Sequence, residues 1–378
     1  MKTLALTRPM HDSLSVEALH KLEDEDAYPR VTLLDRTLGT EKPFTSEPLA
    51  LPPPLRPMRR FIPDPLVKAW FAYQNRRSFD VILTWGETYA VAYALVLAIT
   101  RSKDVPHVAF LGHLSYSRVR LFLRLCRSRI DHVITWTSVQ RDYAVSVLSF
   151  PQEKVTFVPH WVDQRFFRPE HHSTDRIASA GYEMRDYHTL VEAMRDLPIP
   201  CQIATDAIRV YSKGLKRDVV RLDPSAMPPN VTVGKLPYKG LRELYARSRF
   251  VVVPLLPSEI DNGINTILEA MAMGKAVICS RTVGQVDAVK DGAHGFLVPP
   301  QNAPALREKI LWLWEHPGLA EAMGREGRKH VEERHTVEAF VAKVAEVVQS
   351  VIDGRKGQVG FAGSGRKASP IRVSPGRG

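Results

Sequence analysis

Short apolar runs alternate with amphipathic segments along the first half of the chain. The runs have the length of buried strands, and the longer segments between them repeat apolar residues at helical spacing. The pattern predicts strands at Thr3–Thr7, Val31–Leu34, Val81–Thr84, His107–Leu111 and His132–Thr135, and helices at Val16–Leu22 and Ala90–Ile99. Such an alternating order of strands and helices is typical of an α/β fold with a parallel sheet.

The same alternation returns in the second half and predicts a second parallel sheet. The predicted strands are Ile177–Ala180, Gln202–Thr205, Val231–Val233, Phe250–Pro254 and Ala276–Cys279. A long amphipathic helix is predicted at Val337–Ile352. The chain has 378 residues, of which 44% are hydrophobic, and can therefore bury two sizeable cores. We expect two α/β domains.

The stretch Pro257–Ile278 combines a turn, a helix start and two carboxylates. Polar turn formers precede an apolar stripe at helical spacing, which predicts a helix beginning near Gly263. Unpaired amides at a helix start favour an anion such as phosphate. Asp261 lies at the mouth of this loop, and Glu269 lies about two turns inside the helix. The two carboxylates are placed to hold a sugar and a ribose, but an ordinary helix cap and a solvated Glu269 fit the spacing equally well.

The net charge of +11 is concentrated at the carboxyl end of the chain. Residues 355–378 carry six basic residues and no acid, so the rest of the chain has a net charge of +5. This segment is rich in Gly, Ser and Pro and is predicted to be disordered, so the charge does not predict specific nucleic-acid binding. The three cysteines are scattered and include no CxxC pair, which fits a reducing cytosol. The longest apolar run, Tyr89–Thr100, is far shorter than the ~20 residues of a membrane span.

Three further features of the first half concern binding. His113 follows a predicted strand and Glu87 follows another, at the sheet edge where open α/β folds bind ligands. The helical segment Ser117–Arg129 places apolar residues on one arc and three arginines, Arg120, Arg124 and Arg127, on the other. It predicts either a contact with an anionic membrane surface or a helix packed on the sheet. The acidic run Asp24–Asp26 superficially matches a DxD metal motif, but its place at a helix end favours a charged surface run.

The residues Asp261, Glu269 and Ala270–Ala272 resemble the signature of the family 4 retaining glycosyltransferases. That signature has two glutamates eight positions apart, followed by Ala-Met-Ala, and this chain has Asp in place of the first Glu. The resemblance implies a GT-B fold, in which two Rossmann-like domains face each other across the active site. It also implies that Asp261 contacts the donor sugar and Glu269 the nucleotide ribose.

The resemblance assigns further residues to the donor site. It implies that His113 contacts the donor sugar, that Arg185 binds the diphosphate, and that Tyr182 stands where a second cation is usual. The amides between the two acids are expected to hold the diphosphate, and the loop after the strand at 231–233 is expected to meet the nucleobase. These loops supply Asn262, Gly263, Ile264 and Asn265 for the diphosphate, and Leu236 and Tyr238 for the base.

The segment HWVDQRFFRP, from His160, resembles the interdomain segment of the same glycosyltransferases. The resemblance is specific from about residue 133 to residue 351 and loose before that. We therefore expect an acceptor-side domain at 1–165 and a nucleotide-sugar domain at 166–336. Residues 337–353 are expected to form a helix that crosses back to the first domain, and residues 354–378 a disordered tail.

The sequence thus predicts the transfer of a sugar, with retention of configuration, from a nucleotide diphosphate sugar to a glycan, lipid-linked or small-molecule acceptor. No metal ion and no separate cofactor are expected. A nucleotide-sugar epimerase or phosphorylase of similar fold is one alternative. A non-catalytic glycan- or lipid-binding protein is another, suggested by Asp261, Tyr182 and a first loop, residues 7–13, without glycines. We expect a cytoplasmic protein, either free or peripheral on the inner face of the membrane. The sequence does not fix the base, the sugar, the acceptor or the oligomeric state.

Overall fold

The structure is a computed structural model that describes residues 1–8, 14–42, 61–115, 117–211, 217–285 and 287–363. Most of the loop at 7–13 and residues 364–378 of the predicted tail lie outside the described residues.

The N-terminal lobe is built on a six-stranded parallel sheet with the strand order β2-β1-β3-β4-β5-β6. Its strands are β1 (Thr3–Leu6), β2 (Thr40–Glu41), β3 (Val81–Trp85), β4 (His107–Leu111), β5 (His132–Thr135) and β6 (Val155–Phe157). Its helices are α1 (Val16–Asp24), α2 (Leu33–Leu38), α3 (Asp64–Asn75), α4 (Glu87–Ile99), α5 (Ser117–Cys126) and α6 (Ser138–Ser146).

The C-terminal lobe has its own six-stranded parallel sheet, with the order β11-β8-β7-β12-β13-β14, and an antiparallel pair β9–β10. Its strands are β7 (Arg176–Ala180), β8 (Cys201–Ala204), β9 (Ala207–Tyr211), β10 (Arg217–Arg221), β11 (Val231–Val233), β12 (Ser248–Val253), β13 (Ala276–Ser280) and β14 (Gly295–Val298). Its helices are α7 (Tyr187–Met194), α8 (Tyr238–Ala246), α9 (Ile264–Ala272), α10 (Ala303–Glu315) and α11 (Pro317–Arg334), and the last helix is α12 (Val337–Gly363). The predicted α/β class with two parallel sheets is confirmed.

One predicted strand is wrong. The segment Val31–Leu34 leads into the short helix α2 instead, and the sheet strand comes later, at β2. Gly39 ends this helix in the left-handed conformation, with φ of 57°, and such a glycine is a common helix stop. At the start of the helix, the Glu23 carboxylate accepts hydrogen bonds from the amide and the hydroxyl of Thr32, at 2.8 and 2.7 Å. These contacts hold the backbone in a turn. The short apolar run on its own resembles a strand, which explains the wrong prediction.

The last helix packs against the sheet of the N-terminal lobe. Its apolar face, including Phe340, Val344 and Val348, shares a buried core with residues of β3, β4 and β5. The helix continues to Gly363, ten residues beyond the predicted end at Asp353. The chain enters this helix beside the segment that first links the lobes, because Val162 donates to the carbonyl of His335 and accepts from the amide of Val337. The two crossings between the lobes therefore lie side by side.

Ion pairs reinforce the junction of the lobes. Arg30 donates to both carboxylate oxygens of the buried Asp163 and to Glu338 at the start of α12. Asp26 of the acidic run pairs with Arg168 and Arg242. Among the described residues, no group of three or more His, Cys, Asp or Glu side chains could hold a metal ion. The acidic run thus takes part in interlobe contacts.

Candidate active site

A cleft of about 700 Å³ lies between the carboxyl ends of the strands of the two lobes, a size usual for small-molecule sites. The structure brings all the residues predicted for the site to this cleft. They are His113, Arg185, Leu236, Tyr238, Asp261, Asn262, Gly263, Ile264, Asn265 and Glu269. Only His113 of this set comes from the N-terminal lobe.

The helix α9 begins at the cleft as the sequence predicts. Gly263 is its N-cap and has φ of 89°, a conformation that favours glycine. A Cβ atom at this position would also lie 3.0 Å from side-chain atoms of Leu255 and Val253. Within the described part of the chain, the amides of Gly263 and Asn265 donate no hydrogen bond. Together with the positive end of the helix dipole, they form a site suited to phosphate oxygens.

Arg185 lies beside this helix start with its guanidinium held in place. It donates to the carbonyls of Ala180 and Glu183, at 2.9 and 2.8 Å, and to the hydroxyl of Thr266 in α9, at 2.9 Å. The residue is only 4% exposed. A Cβ atom at Gly181 would lie 2.3 Å from one guanidinium nitrogen, so the loop passes close to the side chain. The cation is therefore fixed before any ligand binds.

Glu269 lines the inner end of the cleft. Its Oε2 atom accepts a hydrogen bond of 3.0 Å from the Tyr245 hydroxyl. Burial raises the pKa of Glu269 to about 7, although the Tyr245 hydrogen bond and the charge of Arg185 both lower it. A half-buried carboxylate with spare acceptor capacity is suited to bind a pair of hydroxyl groups.

Asp261 meets a histidine that the sequence analysis did not assign to the site. The Nε2 atom of His160 lies 2.5 Å from Oδ2 of Asp261. Burial alone would raise the pKa of Asp261, but the charges of His160 and His113 outweigh burial and hold that pKa below its usual value. Both imidazoles therefore act on the same carboxylate.

Glu87 holds the loop that carries His113 in place. The Glu87 Oε1 atom accepts from the amides of Gly112 and His113, at 2.7 and 2.5 Å. The neighbouring amide of Leu114 donates to the side chain of Gln140. Glu87 is 8% exposed and lies at the start of α4. Its contacts indicate that Glu87 positions His113.

Aromatic rings form the wall of the cleft on the N-terminal side. The ring of Trp85 stacks on Phe110 with centroids 4.6 Å apart, and it lies 5.0 Å from the ring of Trp136. Trp136 in turn lies 5.4 Å from the imidazole of His160. Both tryptophans are half-buried, and all four rings line the cleft. We call Trp85, Phe110 and Trp136 the aromatic wall.

Residues 182–316 match the family model described as Glycosyl transferases group 1. This segment is similar to the group 1 glycosyl transferases. The matched segment contains α9 and every predicted site residue except His113. The family resemblance inferred from Asp261 and Glu269 is thereby confirmed.

Curated relatives match this chain over limited lengths. An uncharacterized glycosyltransferase of Methanocaldococcus jannaschii is 27% identical over 164 residues, which are 43% of this chain and 44% of that relative. A capsular polysaccharide biosynthesis glycosyltransferase of Staphylococcus aureus, CapM, is 34% identical over 80 residues, which are 21% of each chain. The chain thus spans less than half the length of either relative.

Solved structures match almost the whole chain. Sucrose-phosphate synthase from Thermosynechococcus elongatus superposes with a TM-score of 0.68 at 16% identity and covers 94% of this chain and 100% of its own. The Anabaena protein HepE in complex with UDP-glucose gives a TM-score of 0.65 at 16% identity, covering 93% of this chain and 100% of its own. The fold is therefore GT-B.

Sequence reasoning missed three parts of the cleft. They are His160, the aromatic wall, and Lys235, whose exposed side chain lines the cleft near the predicted base site. Trp85 ends β3 and Trp136 directly follows β5, so both lie at the carboxyl edge of the sheet. That position was the available signal, and it was applied only to His113 and Glu87.

The helix α5 has an unusual surface. Leu123 and Cys126 face the core, whereas Leu121, Phe122 and Leu125 are 60%, 47% and 69% exposed. Arg120, Arg124 and Arg127 are also exposed around these apolar side chains. No helix among the described residues has the length and apolar character needed to cross a membrane.

Proposed function

We propose that the chain is a retaining glycosyltransferase that uses a nucleoside diphosphate sugar. The observation that carries this proposal is the convergence of Arg185, the α9 amides, Glu269 and Asp261 of the C-terminal lobe on one cleft with His113 of the N-terminal lobe. The structural neighbour HepE was solved with UDP and with UDP-glucose, which supports a donor of this class. In this proposal residues 166–336 bind the donor, residues 1–165 bind the acceptor, and 337–353 tie the lobes together.

Each group in the cleft has a role in this reaction. Glu269 accepts hydrogen bonds from the ribose hydroxyls, and the backbone near Leu236 and Tyr238 contacts the base. Asp261 and His113 bind the hydroxyls of the donor sugar. The bond between the anomeric carbon and the diphosphate breaks as the acceptor oxygen bonds to that carbon, and the acceptor proton ends on the departing diphosphate.

Negative charge develops on the departing diphosphate. Stabilising this charge is the main electrostatic requirement of the reaction. Arg185 and the amides of Gly263 and Asn265 supply fixed positive charge and dipoles where that charge develops. Groups held in place before the reaction do not have to reorganise during it. We therefore propose transfer without a metal ion. Full activity in EDTA is the expected result, and loss of activity restored by manganese contradicts it.

We further propose that α5 contacts an anionic membrane surface. Exposed Leu121, Phe122 and Leu125 would enter the interface while the surrounding arginines bind lipid phosphates. Sedimentation with phosphatidylglycerol vesicles should fall in a Leu121→Ser, Leu125→Ser double variant. Equal sedimentation of the variant and the wild type contradicts this part of the proposal.

A thermal-shift screen with UDP, GDP and ADP sugars tests donor binding. A donor at ~100 times its dissociation constant should stabilise the protein by about 2.7 kcal/mol. Glu269→Ala should lose most of this shift, whereas Glu243→Ala, at an exposed position of α8, should keep it. An equal shift in Glu269→Ala would refute the ribose assignment. If no nucleotide sugar shifts the protein, the donor class is wrong.

Product analysis tests the reaction. The linkage formed should have the anomeric configuration of the donor sugar, as read from NMR coupling constants. An inverted product contradicts retention. Conversion of the donor sugar without any acceptor present indicates an epimerase, and tight donor binding without turnover of any acceptor indicates a binding protein.

A further inference from the structure

The aromatic wall lies outside the machinery proposed for the donor. Trp85, Phe110 and Trp136 all belong to the N-terminal lobe, whereas the phosphate and ribose groups come from the C-terminal lobe. The wall reaches the reacting centre through His160, because that imidazole lies 5.4 Å from Trp136 and contacts Asp261. A molecule lying along the wall therefore has one end beside the donor sugar.

The wall is rigid. Phe340 of α12 packs near Trp136 with centroids 5.9 Å apart, and Phe110 stacks on the same indole at 5.4 Å and 18°. A Cβ atom at Gly112 would lie 2.7 Å from Cδ1 of Trp136, so the His113 loop lies directly against the indole. Rings held from several sides lose little conformational freedom when a ligand stacks on them.

Both apolar rings and polar side chains line this part of the cleft. The lining beside the rings includes the polar side chains of Glu87, His113 and His160. A pyranose has one apolar C–H face and a rim of hydroxyls, and its weakly positive C–H groups fit the negative face of an aromatic ring. An acyl or isoprenyl chain would instead remove water from these polar side chains without offering them a hydrogen bond, which is costly.

We propose that the aromatic wall is the acceptor subsite and that it binds a pyranose ring by stacking on Trp85 and Trp136. This inference rests on the proposed glycosyl transfer and narrows its acceptor. The sugar to be extended lies against the indoles, and one of its hydroxyls reaches the anomeric carbon held near Asp261. The acceptor is therefore a carbohydrate or the terminal sugar of a glycoconjugate.

Saturation-transfer NMR tests the contact directly. The full-length protein, saturated with UDP, is mixed with methyl glycosides of glucose, mannose, galactose and N-acetylglucosamine. For at least one of them, the ring C–H protons of a single face should receive the strongest saturation. Trp136→Leu and Trp85→Leu should reduce this signal at least fivefold, while Trp136→Phe should retain much of it.

Trp312→Leu is the matched control, because Trp312 is 47% exposed on α10 and does not line the cleft. It should leave the saturation signal unchanged. With a glycoside that accepts sugar, Trp136→Leu should raise the acceptor KM about tenfold, Trp136→Phe should raise it less, and both should leave the dissociation constant of UDP unchanged. The thermal shift produced by UDP reports whether each variant is folded and binds donor.

The outcomes separate this inference from the proposed function. If nucleotide sugars bind and transfer occurs, but the tryptophan variants keep the acceptor KM and the saturation signal of the wild type, the subsite is wrong and the function stands. If only alkyl or isoprenyl alcohols accept sugar, the wall binds a lipid and the inference is overturned. If no nucleotide sugar binds, the proposed function fails on its own test.

Discussion

His160 Nε2 lies 2.5 Å from Asp261 Oδ2, so the segment that links the two lobes contacts the carboxylate at the mouth of the α9 loop. The sequence analysis identified Asp261 as a departure from the family, because its side chain is shorter than the usual glutamate. The structure adds that this short carboxylate has a fixed neighbour. His160 itself lies against Trp136, so the acid, the imidazole and the aromatic wall form one continuous surface.

Removing the His160 charge should shift the pH dependence of catalysis. His160 and His113 hold the pKa of Asp261 below its usual value, and the ionised carboxylate therefore persists to low pH. In His160→Gln the pKa of Asp261 should rise, because burial is less well opposed. The acid limb of kcat/KM should move to higher pH, with kcat at pH 7 reduced about tenfold or more.

His188→Gln, at an exposed position of α7, is the control. An unchanged acid limb would show that His160 does not tune Asp261.

Glu269 should make the ligand-free protein less stable as the pH rises. Burial raises its pKa from 4.5 to about 7, so between these pH values the folded state binds more protons than the unfolded state. Stability then falls with increasing pH through this window and stays reduced above pH 7. Glu269→Gln removes the ionisation and should be more stable than the wild type by about 3 kcal/mol at pH 8, with little difference at pH 4.5. Urea unfolding at both pH values measures this.

The matched control for Glu269→Gln is Glu243→Gln, an exposed position on α8. It should give the same stability as the wild type at both pH values. A Glu269→Gln variant that is less stable than the wild type at pH 8 contradicts the raised pKa of Glu269. Binding of a nucleotide sugar should stabilise the wild type more than Glu269→Gln. Only the wild type offers an ionised acceptor to the ribose hydroxyls.

Arg185 holds the surrounding loop in place and is also proposed to bind the diphosphate, and one substitution can separate these two roles. Its guanidinium donates three hydrogen bonds to the surrounding loop and α9, and a lysine cannot make them all. Arg185→Lys should therefore lower the free energy of unfolding by about 2 kcal/mol. If the cation also binds the diphosphate, the variant should lose more affinity for UDP than for UMP in calorimetric titrations. Arg195→Lys, exposed at the end of α7, is the control. A stability loss with an unchanged UDP-to-UMP ratio would show a structural role alone.

The sequence predicted the features whose signals are local. The β3 and β4 strands are continuous apolar runs, and the α9 start is marked by Gly263, whose positive φ few other residues adopt. Arg185 and Glu269 were assigned through the resemblance to the family signature, because spacing alone left an ordinary helix cap and a solvated Glu269 equally open, and their roles stay predictions. The misread segment Val31–Leu34 was too short for its periodicity to separate helix from strand.

The features that sequence reasoning missed depend on residues far apart in the chain. Nothing near His160 indicates that its partner is Asp261, because the two meet only when the lobes fold against each other. The aromatic wall likewise needs β3, β4 and β5 side by side before Trp85 and Trp136 come within 5.0 Å. The exposed apolar residues of α5 fall on an arc that the sequence pattern alone assigns equally well to the core.

The contact between Ser138 and Asp287 should control how the two lobes close. The amide and the hydroxyl of Ser138, the first residue of α6 in the N-terminal lobe, donate to Asp287 in the C-terminal lobe at 2.8 Å each. The carboxylate also lies at the positive end of the α6 dipole, which strengthens the contact. Asp287→Ala should destabilise the protein by about 1–2 kcal/mol and increase its radius of gyration in small-angle scattering.

The matched control is Asp291→Ala, because Asp291 pairs with Arg281 inside the C-terminal lobe. It should leave the radius of gyration unchanged. If the lobes must meet for the acceptor on the aromatic wall to reach the donor, Asp287→Ala should also lower kcat while the affinity for UDP, bound by one lobe, stays within about twofold. A variant with an unchanged radius of gyration and kcat would show that the Ser138–Asp287 contact does not hold the lobes together during transfer.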